Sequence, residues 1–274
     1  MIDIIYSIIA GIVQGLTEFL PVSSSGHLVV LHDFLKFDFI DNLAFDVVLH
    51  LGTLFALVIF FWSDILKYLR AFFQSLAKWN LRNDVNQRLA WYILIATFPA
   101  AIAGYFFENG IELFFRQTSL VAAMLIVVGV LLYLADRFSA RIKTIDQLSF
   151  SSSLLIGIAQ AIALIPGVSR SGITIIAGLT QKLNRESAAR FSFLLSIPIV
   201  FGAGAKKVFD LFTSQSISSS DVVVLILGFL SSVIVGYFCI KYFLRFLQSH
   251  SLSVFVYYRI VLGLLIFTLL FLDK

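Results

Sequence analysis

The sequence predicts an all-α polytopic membrane protein, with six transmembrane helices and two re-entrant helical hairpins arranged as an inverted repeat in a single integral membrane domain. Three observations carry this reading. Hydrophobic residues make up 59% of the chain and charged residues only 13%, with 29 Phe, whereas soluble domains carry about 25% charged residues. Apolar runs that approach the roughly 20 residues of a spanning helix lie at 44–62, 89–107, 119–135, 190–205, 222–240 and 254–272. Two further runs, 2–35 and 152–180, are broken in the middle by Pro-Val-Ser-Ser-Ser-Gly and Pro-Gly-Val-Ser-Arg-Ser-Gly. These two align without a gap at an offset of 146, with seven identities in the sixteen positions from Gly11/Gly157 to Gly26/Gly172. The same offset pairs Phe45 with Phe191. Weak symmetry between halves, each with an interrupted hydrophobic segment, points to a site near the membrane midplane.

Taken in order, the first run contains Asp3 and lacks both a basic leader and a small-residue cleavage site, so it does not read as a signal peptide. Non-helical backbone survives at membrane depth only when buried in protein or lining a wet cavity, so each broken run is expected to be a helix, loop, helix hairpin. The first full span carries Asp46 and His50 at helical i, i+4 spacing, with two readings: reaching the site from the side, or, the preferred one, an interfacial carboxylate and a core histidine. Segment 63–88 mixes basic residues with Phe72, Phe73 and Trp79 just after Trp62, which suits an interfacial helix resting on anionic lipid. Repeat one then covers about 1–135 and repeat two about 147–274. The single cysteine, Cys239, lies in an apolar run and has no partner for an intramolecular disulfide.

Lys and Arg set the orientation. Connections 63–88, 136–147, 181–190 and 241–250 hold thirteen basic residues, while the alternate connections hold Lys36, Arg116, Lys206 and Lys207. The first set is therefore expected on the cytoplasmic side and both termini outside, so that the hairpins enter from opposite faces. This bias accounts for the net charge of +4, and nothing in it calls for nucleic acid.

The polar residues at the two hairpin tips are costly in hydrocarbon, which makes them functional candidates. Each tip ends in a serine-rich loop that opens a new helix, and helix N-termini are anion sites. Arg170 replaces Ser24 in the second copy and suits bidentate contact with phosphate, or else a buried pair with Glu18. Glu18, three residues before Pro21, is a candidate base or ligand for a divalent cation. Gln14, one turn earlier, cannot take a proton and is assigned a positioning role. Ser24 and His27 remain alternative nucleophiles, with His27 also a candidate acid. Ser23, Ser25, Gly26, Ser169, Ser171, Gly172 and Thr174 read as phosphate donors, close-approach points and helix caps. Arg259, near the cytoplasmic end of the last span, is expected to snorkel to the interface.

The run Gly15 to His27, followed by Pro166-Gly167-Val168-Ser169-Arg170-Ser171-Gly172, Phe191-Ser192-Phe193-Leu194-Leu195 and Tyr258-Arg259, resembles the undecaprenyl-diphosphate phosphatases, the bacitracin-resistance lipid pyrophosphatases of bacteria. Many members have Glu where this chain has Gln14. The resemblance implies hydrolysis of a polyprenyl diphosphate to the lipid monophosphate and inorganic phosphate, which recycles the cell-wall carrier lipid. It also implies a divalent cation, magnesium or calcium; the outward opening of the first hairpin, read from the charge bias, leads to the expectation of a site reached from the outer face of the plasma membrane. The partners expected are the bilayer, the polyprenyl diphosphate and a second copy of the chain in a homodimer. Inverted repeats with broken helices are also the architecture of secondary transporters, so a carrier or flippase for a lipid phosphate or anion is the competing reading.

Overall fold

Proline and glycine place the breaks in the chain. The computed structural model describes residues 2–35, 42–115, 117–214 and 219–272, and their side chains except those of 29, 33–35, 42–44, 108–115, 206–214 and 219–221. Lys36 and Arg116, and the side chains of Lys206 and Lys207, therefore lie outside the described residues. Helix α1 (Ile2–Thr17) gives way to a loop at Pro21, and α2 (Ser24–Leu35) follows. Proline lacks an N–H and drives the preceding residue out of the helical region, so the break is local chemistry. The second copy repeats it: α7 (Phe150–Ile162) ends before Pro166-Gly167, and α8 (Arg170–Thr180) follows.

Between and after these hairpins run α3 (Asn42–Phe60), α4 (Trp62–Ala77), α5 (Val85–Phe115), α6 (Thr118–Phe138), α9 (Arg185–Ser214), α10 (Ser219–Leu247) and α11 (Ser253–Leu272). No strand forms among the described residues. Segments 85–107, 118–138, 185–205, 222–247 and 253–272 are long and apolar enough to cross a membrane. A sixth is added if α3 and α4 count together, although they meet at 78°. The turn falls at Phe61, within two residues of the boundary expected between the span 44–62 and the segment 63–88. Beyond the turn, α4 buries Ala71 and Ser75 and exposes Leu69, Phe73 and Leu76.

The packing pattern follows the repeat. Helix α1 lies along α10, and its counterpart α7 lies along α5; α3 packs on α10 and on α9, and α6 packs on α11. The glycines at equivalent positions do the same work. A Cβ on Gly11 would stand 2.4 Å from the carbonyl oxygen of Gly228, and one on Gly157 would stand 2.2 Å from that of Ala96. Both crossings need a bare Cα, because those distances are far inside van der Waals contact. Phe45 and Phe191 are both fully buried.

Candidate functional site

The two loops meet over α6. Gly167 has φ +89°, and a Cβ there would lie 2.6 Å from the Val121 carbonyl oxygen; a Cβ on Gly26 would lie 3.2 Å from the Val121 side chain. Ser171 Oγ donates to the Leu20 carbonyl at 3.0 Å, a direct tie between the tips. Ser23 and Ser169, each immediately before a half-helix, have φ of 75° and 73°. That region is unfavourable for a residue with a Cβ, and each serine offsets part of the cost as a cap: Ser23 Oγ accepts from Gly26 N at 3.3 Å, and Ser169 Oγ from Gly172 N at 3.1 Å. Ser25 and Ser171 hydrogen-bond with these caps at 3.4 and 3.2 Å.

Between the tips sits Glu18, almost fully buried. Oε1 accepts from Arg170 NH2 at 2.5 Å, and Oε2 accepts from Ser24 Oγ at 2.7 Å and from Gln14 Nε2 at 3.1 Å. The ion pair weighed from the sequence is therefore formed, and it includes the hydroxyl of Ser24. Gln14, with its amide nitrogen spent on Glu18, leaves Oε1 buried without a hydrogen-bond partner. Arg170 also donates to the Ser192 carbonyl at 3.4 Å, while Thr174 Oγ1 lies 2.6 Å from Ser192 Oγ and donates to the Arg170 carbonyl at 2.7 Å. One residue along, Phe19 and Phe193 meet edge to face at 5.4 Å, so an apolar contact parallels the polar one and locks the first tip to α9.

His27 stands three residues beyond Ser24 on the same face of α2. Its Nδ1 lies 2.7 Å from the Ser23 carbonyl and its Nε2 2.7 Å from Tyr258 Oη. From α3, His50 brings Nε2 to 3.5 Å from Glu18 Oε2, its Nδ1 bonded to the Asp46 carbonyl at 2.7 Å. His50 thus borders the site rather than filling a core position. Asp46 is no interfacial carboxylate either: it is buried and pairs with His32 at 2.8 Å.

Arg259 corrects the expectation most clearly. It does not snorkel; it is fully buried. Nε donates to Leu125 O at 3.1 Å, NH1 to Pro21 O at 3.0 Å, and NH2 to Met124 O, Gly167 O and Val168 O at 3.2, 2.9 and 3.1 Å. Five carbonyls replace the water that snorkelling would seek. Ser192, Tyr258 and Arg259 were given no role at the site from sequence alone, although an arginine inside an apolar span is itself a signal.

Among the described residues no group of three or more His, Cys, Asp or Glu is arranged to hold a metal; the oxygens that could reach one are those of Glu18, which already accept from Arg170, Ser24 and Gln14, and the unpartnered Oε1 of Gln14, whose amide nitrogen is the end turned to Glu18. Magnesium is commonly held by one or two carboxylates with substrate phosphates and water completing the shell.

Residues 7–265 match the family described as bacitracin resistance protein BacA. The chain is 47% identical to an undecaprenyl-diphosphatase of Geotalea daltonii, over 96% of this chain and 97% of that protein. It is 43% identical to proteins of the same name from Methanosphaera stadtmanae, over 97% of each chain, and from Rubrobacter xylanophilus, over 99% of this chain and all of that one.

Proposed function

The chain belongs to the bacitracin resistance family BacA, and from that membership together with the Glu18, Arg170 and Ser24 cluster we propose that it hydrolyses undecaprenyl diphosphate to the lipid monophosphate and inorganic phosphate. The observation that carries the chemistry is the 2.7 Å hydrogen bond from Ser24 Oγ to Glu18 Oε2, a nucleophile within reach of a base. Both ring nitrogens of His27 are already engaged, which favours Ser24 over His27 as the attacking group. Ser24 Oγ bonds to the terminal phosphorus as the bridging P–O bond breaks, its proton passes to Glu18, and the lipid monophosphate leaves. Water then cleaves the Ser24 phosphoester, and Glu18 returns the proton to Ser24. Arg170 and the N-termini of α2 and α8 offset the phosphate charge, and a bound cation, on Glu18 and Gln14, would supply further neutralisation.

The repeat supports an inverted arrangement in the bilayer, since α1 on α10 and α7 on α5 are equivalent pairs and the Lys and Arg bias of the connections has the hairpins entering from opposite faces. On this reading the basic connections lie in the cytoplasm, the site opens to the outer face of the plasma membrane, and α4 lies along the inner surface. Nothing in the fold or the comparisons favours the carrier over the hydrolase.

The test is phosphate release from undecaprenyl diphosphate in detergent, where transport has no meaning, with radiolabel in the terminal phosphate. An acid-stable label on the wild-type protein, absent in Ser24→Ala, is expected; an acid-labile label absent in His27→Ala would move the nucleophile to the imidazole.

A further inference from the structure

Water has to lose a proton as it attacks the Ser24 phosphoester, and Glu18 is not free to take it, because it already holds the serine's proton. Two histidines border the tips: His50 turns its Nε2 to Glu18 at 3.5 Å, whereas His27 lies one turn from Ser24 on the same face of α2 and is the base on the side of the phosphoester. A carbonyl oxygen only accepts, so the 2.7 Å contact with Ser23 O puts a proton on Nδ1. In the neutral ring Nε2 then carries the lone pair, and Tyr258 Oη at 2.7 Å is the donor to it. The rings lie parallel within 6°, centroids 5.6 Å apart. Tyr258 therefore stands in front of the nitrogen, and no water reaches that lone pair directly while the phenol holds it.

Tyr258 is also held in place. Its neighbour Arg259 is fully buried and bonded to Pro21 of the first tip and to Gly167 and Val168 of the second, so this turn of α11 has a set position relative to both loops. Tyr258 itself is 47% exposed, and among the described residues its hydroxyl has no hydrogen-bond partner other than His27. A phenol with its proton on an acceptor and its own lone pairs open is a two-way proton carrier.

We propose that Tyr258 is a further catalytic residue, relaying the proton of the attacking water to His27 in the second half of the reaction; this rests on the hydrolase reading above. The water oxygen bonds to phosphorus as the Ser24 O–P bond breaks. The water proton moves to Tyr258 Oη while the phenolic proton moves to His27 Nε2. Tyrosine ends as it began, His27 becomes imidazolium, and Glu18 restores the serine hydroxyl. The imidazolium then gives its proton to the departing phosphate through the same phenol. Ser24 and His27, three apart on one face of α2, place the phosphoester and the end of the relay on the same side.

The experiment separates the two half-reactions. Wild-type protein and Tyr258→Phe are mixed with undecaprenyl diphosphate labelled in the terminal phosphate, and lipid monophosphate, free phosphate and protein-bound label are followed after rapid quenching. Tyr258→Phe keeps the ring and loses only the hydroxyl. It is expected to release one equivalent of lipid monophosphate at the wild-type rate, to accumulate acid-stable label on Ser24, and to release phosphate about tenfold or more slowly, as for loss of one hydrogen bond in a transition state. Phosphate release within about twofold of wild type, or equal slowing of both steps without label on the protein, overturns the relay. Fluorotyrosine at 258 keeps the size and changes the phenol's acidity; it is expected to alter the second step alone, and an unchanged second step also overturns the relay. Failure of wild-type protein to release phosphate at all would instead remove the hydrolase reading.

Discussion

Replacing Arg259 by lysine tests whether one buried guanidinium holds both hairpin tips. The fork makes five contacts in different directions: NH1 to the first tip at Pro21, NH2 to the second at Gly167 and Val168, and further bonds to Met124 and Leu125 of α6. Lysine carries one nitrogen, so it reaches one tip and not the other, and a methylene stands where Nε bonded Leu125. The helical carbonyls of Met124 and Leu125 keep their backbone partners; those of Pro21, Gly167 and Val168 in the loops bear the loss. Two or three bonds to a charged donor, each worth about 1.5–3 kcal/mol before relaxation, put the net cost at about 3 kcal/mol, near the low end for breaking a buried charged network. For a chain of this size that corresponds to a melting temperature lower by about 10 °C, read by intrinsic tryptophan fluorescence in detergent. Phosphate release measured well below that temperature should fall about tenfold or more, because Ser24 and Arg170 ride on the loosened loops. A melting temperature within about 2 °C of wild type together with unchanged turnover would refute the claim that Arg259 holds the tips together.

Arg170→Lys should nearly abolish turnover although the charge remains, since a single ammonium cannot bind Glu18 and a phosphate with the spread of a guanidinium; near-normal phosphate release would remove Arg170 from the phosphate site. Gly157→Ala should destabilise the protein by at least about 1–3 kcal/mol through overpacking, because its methyl would stand 2.2 Å from the Ala96 carbonyl oxygen; an unchanged melting temperature would mean that α5 and α7 separate freely. Single cysteines at positions 117 and 142, in a Cys239→Ser background, should react with an impermeant maleimide from the outer and inner sides respectively, and labelling of both from one side would overturn the proposed topology.

What was legible in the sequence was mostly local. Pro21 and Pro166-Gly167 interrupt helices by their own covalent chemistry, so the hairpin tips were readable from residue types alone. The pairing of Glu18 with Arg170 is legible because a buried charge calls for a partner and the repeat brings the two loops together. Other features depended on packing between distant segments. Tyr258 reaches His27 across 231 positions, and no spacing rule reports such a contact. Arg259 is not legible from position alone, because a guanidinium near the end of an apolar run has two solutions, snorkelling to water or being solvated by carbonyls, and the choice depends on loops that fold elsewhere in the chain. The break after Phe60 lies within two residues of the boundary that the sequence sets between the span 44–62 and the segment 63–88; hydropathy places it slightly late because the apolar run continues through Phe61 and Trp62, and it gives no angle for the 78° turn.

The arrangement around Arg259 also explains how two irregular loops can face a highly charged anion. A broken helix exposes carbonyl oxygens at the end of its first half and N–H groups at the start of its second, and the oxygens would repel a phosphate as strongly as the N–H groups attract it. Here Pro21 O, Gly167 O and Val168 O all turn to Arg259, while the N-termini of α2 and α8 carry Ser24 and Arg170. One guanidinium therefore gathers these negative ends of both breaks on itself. Among the described residues Arg259 forms no salt bridge, and Glu18 is paired with Arg170. The buried charges of the tips then sum to one net positive, from two guanidiniums and one carboxylate, and a phosphate lowers the energy of that excess where a neutral headgroup would not. Selectivity for a charged lipid headgroup follows from the same contacts that hold the loops in place.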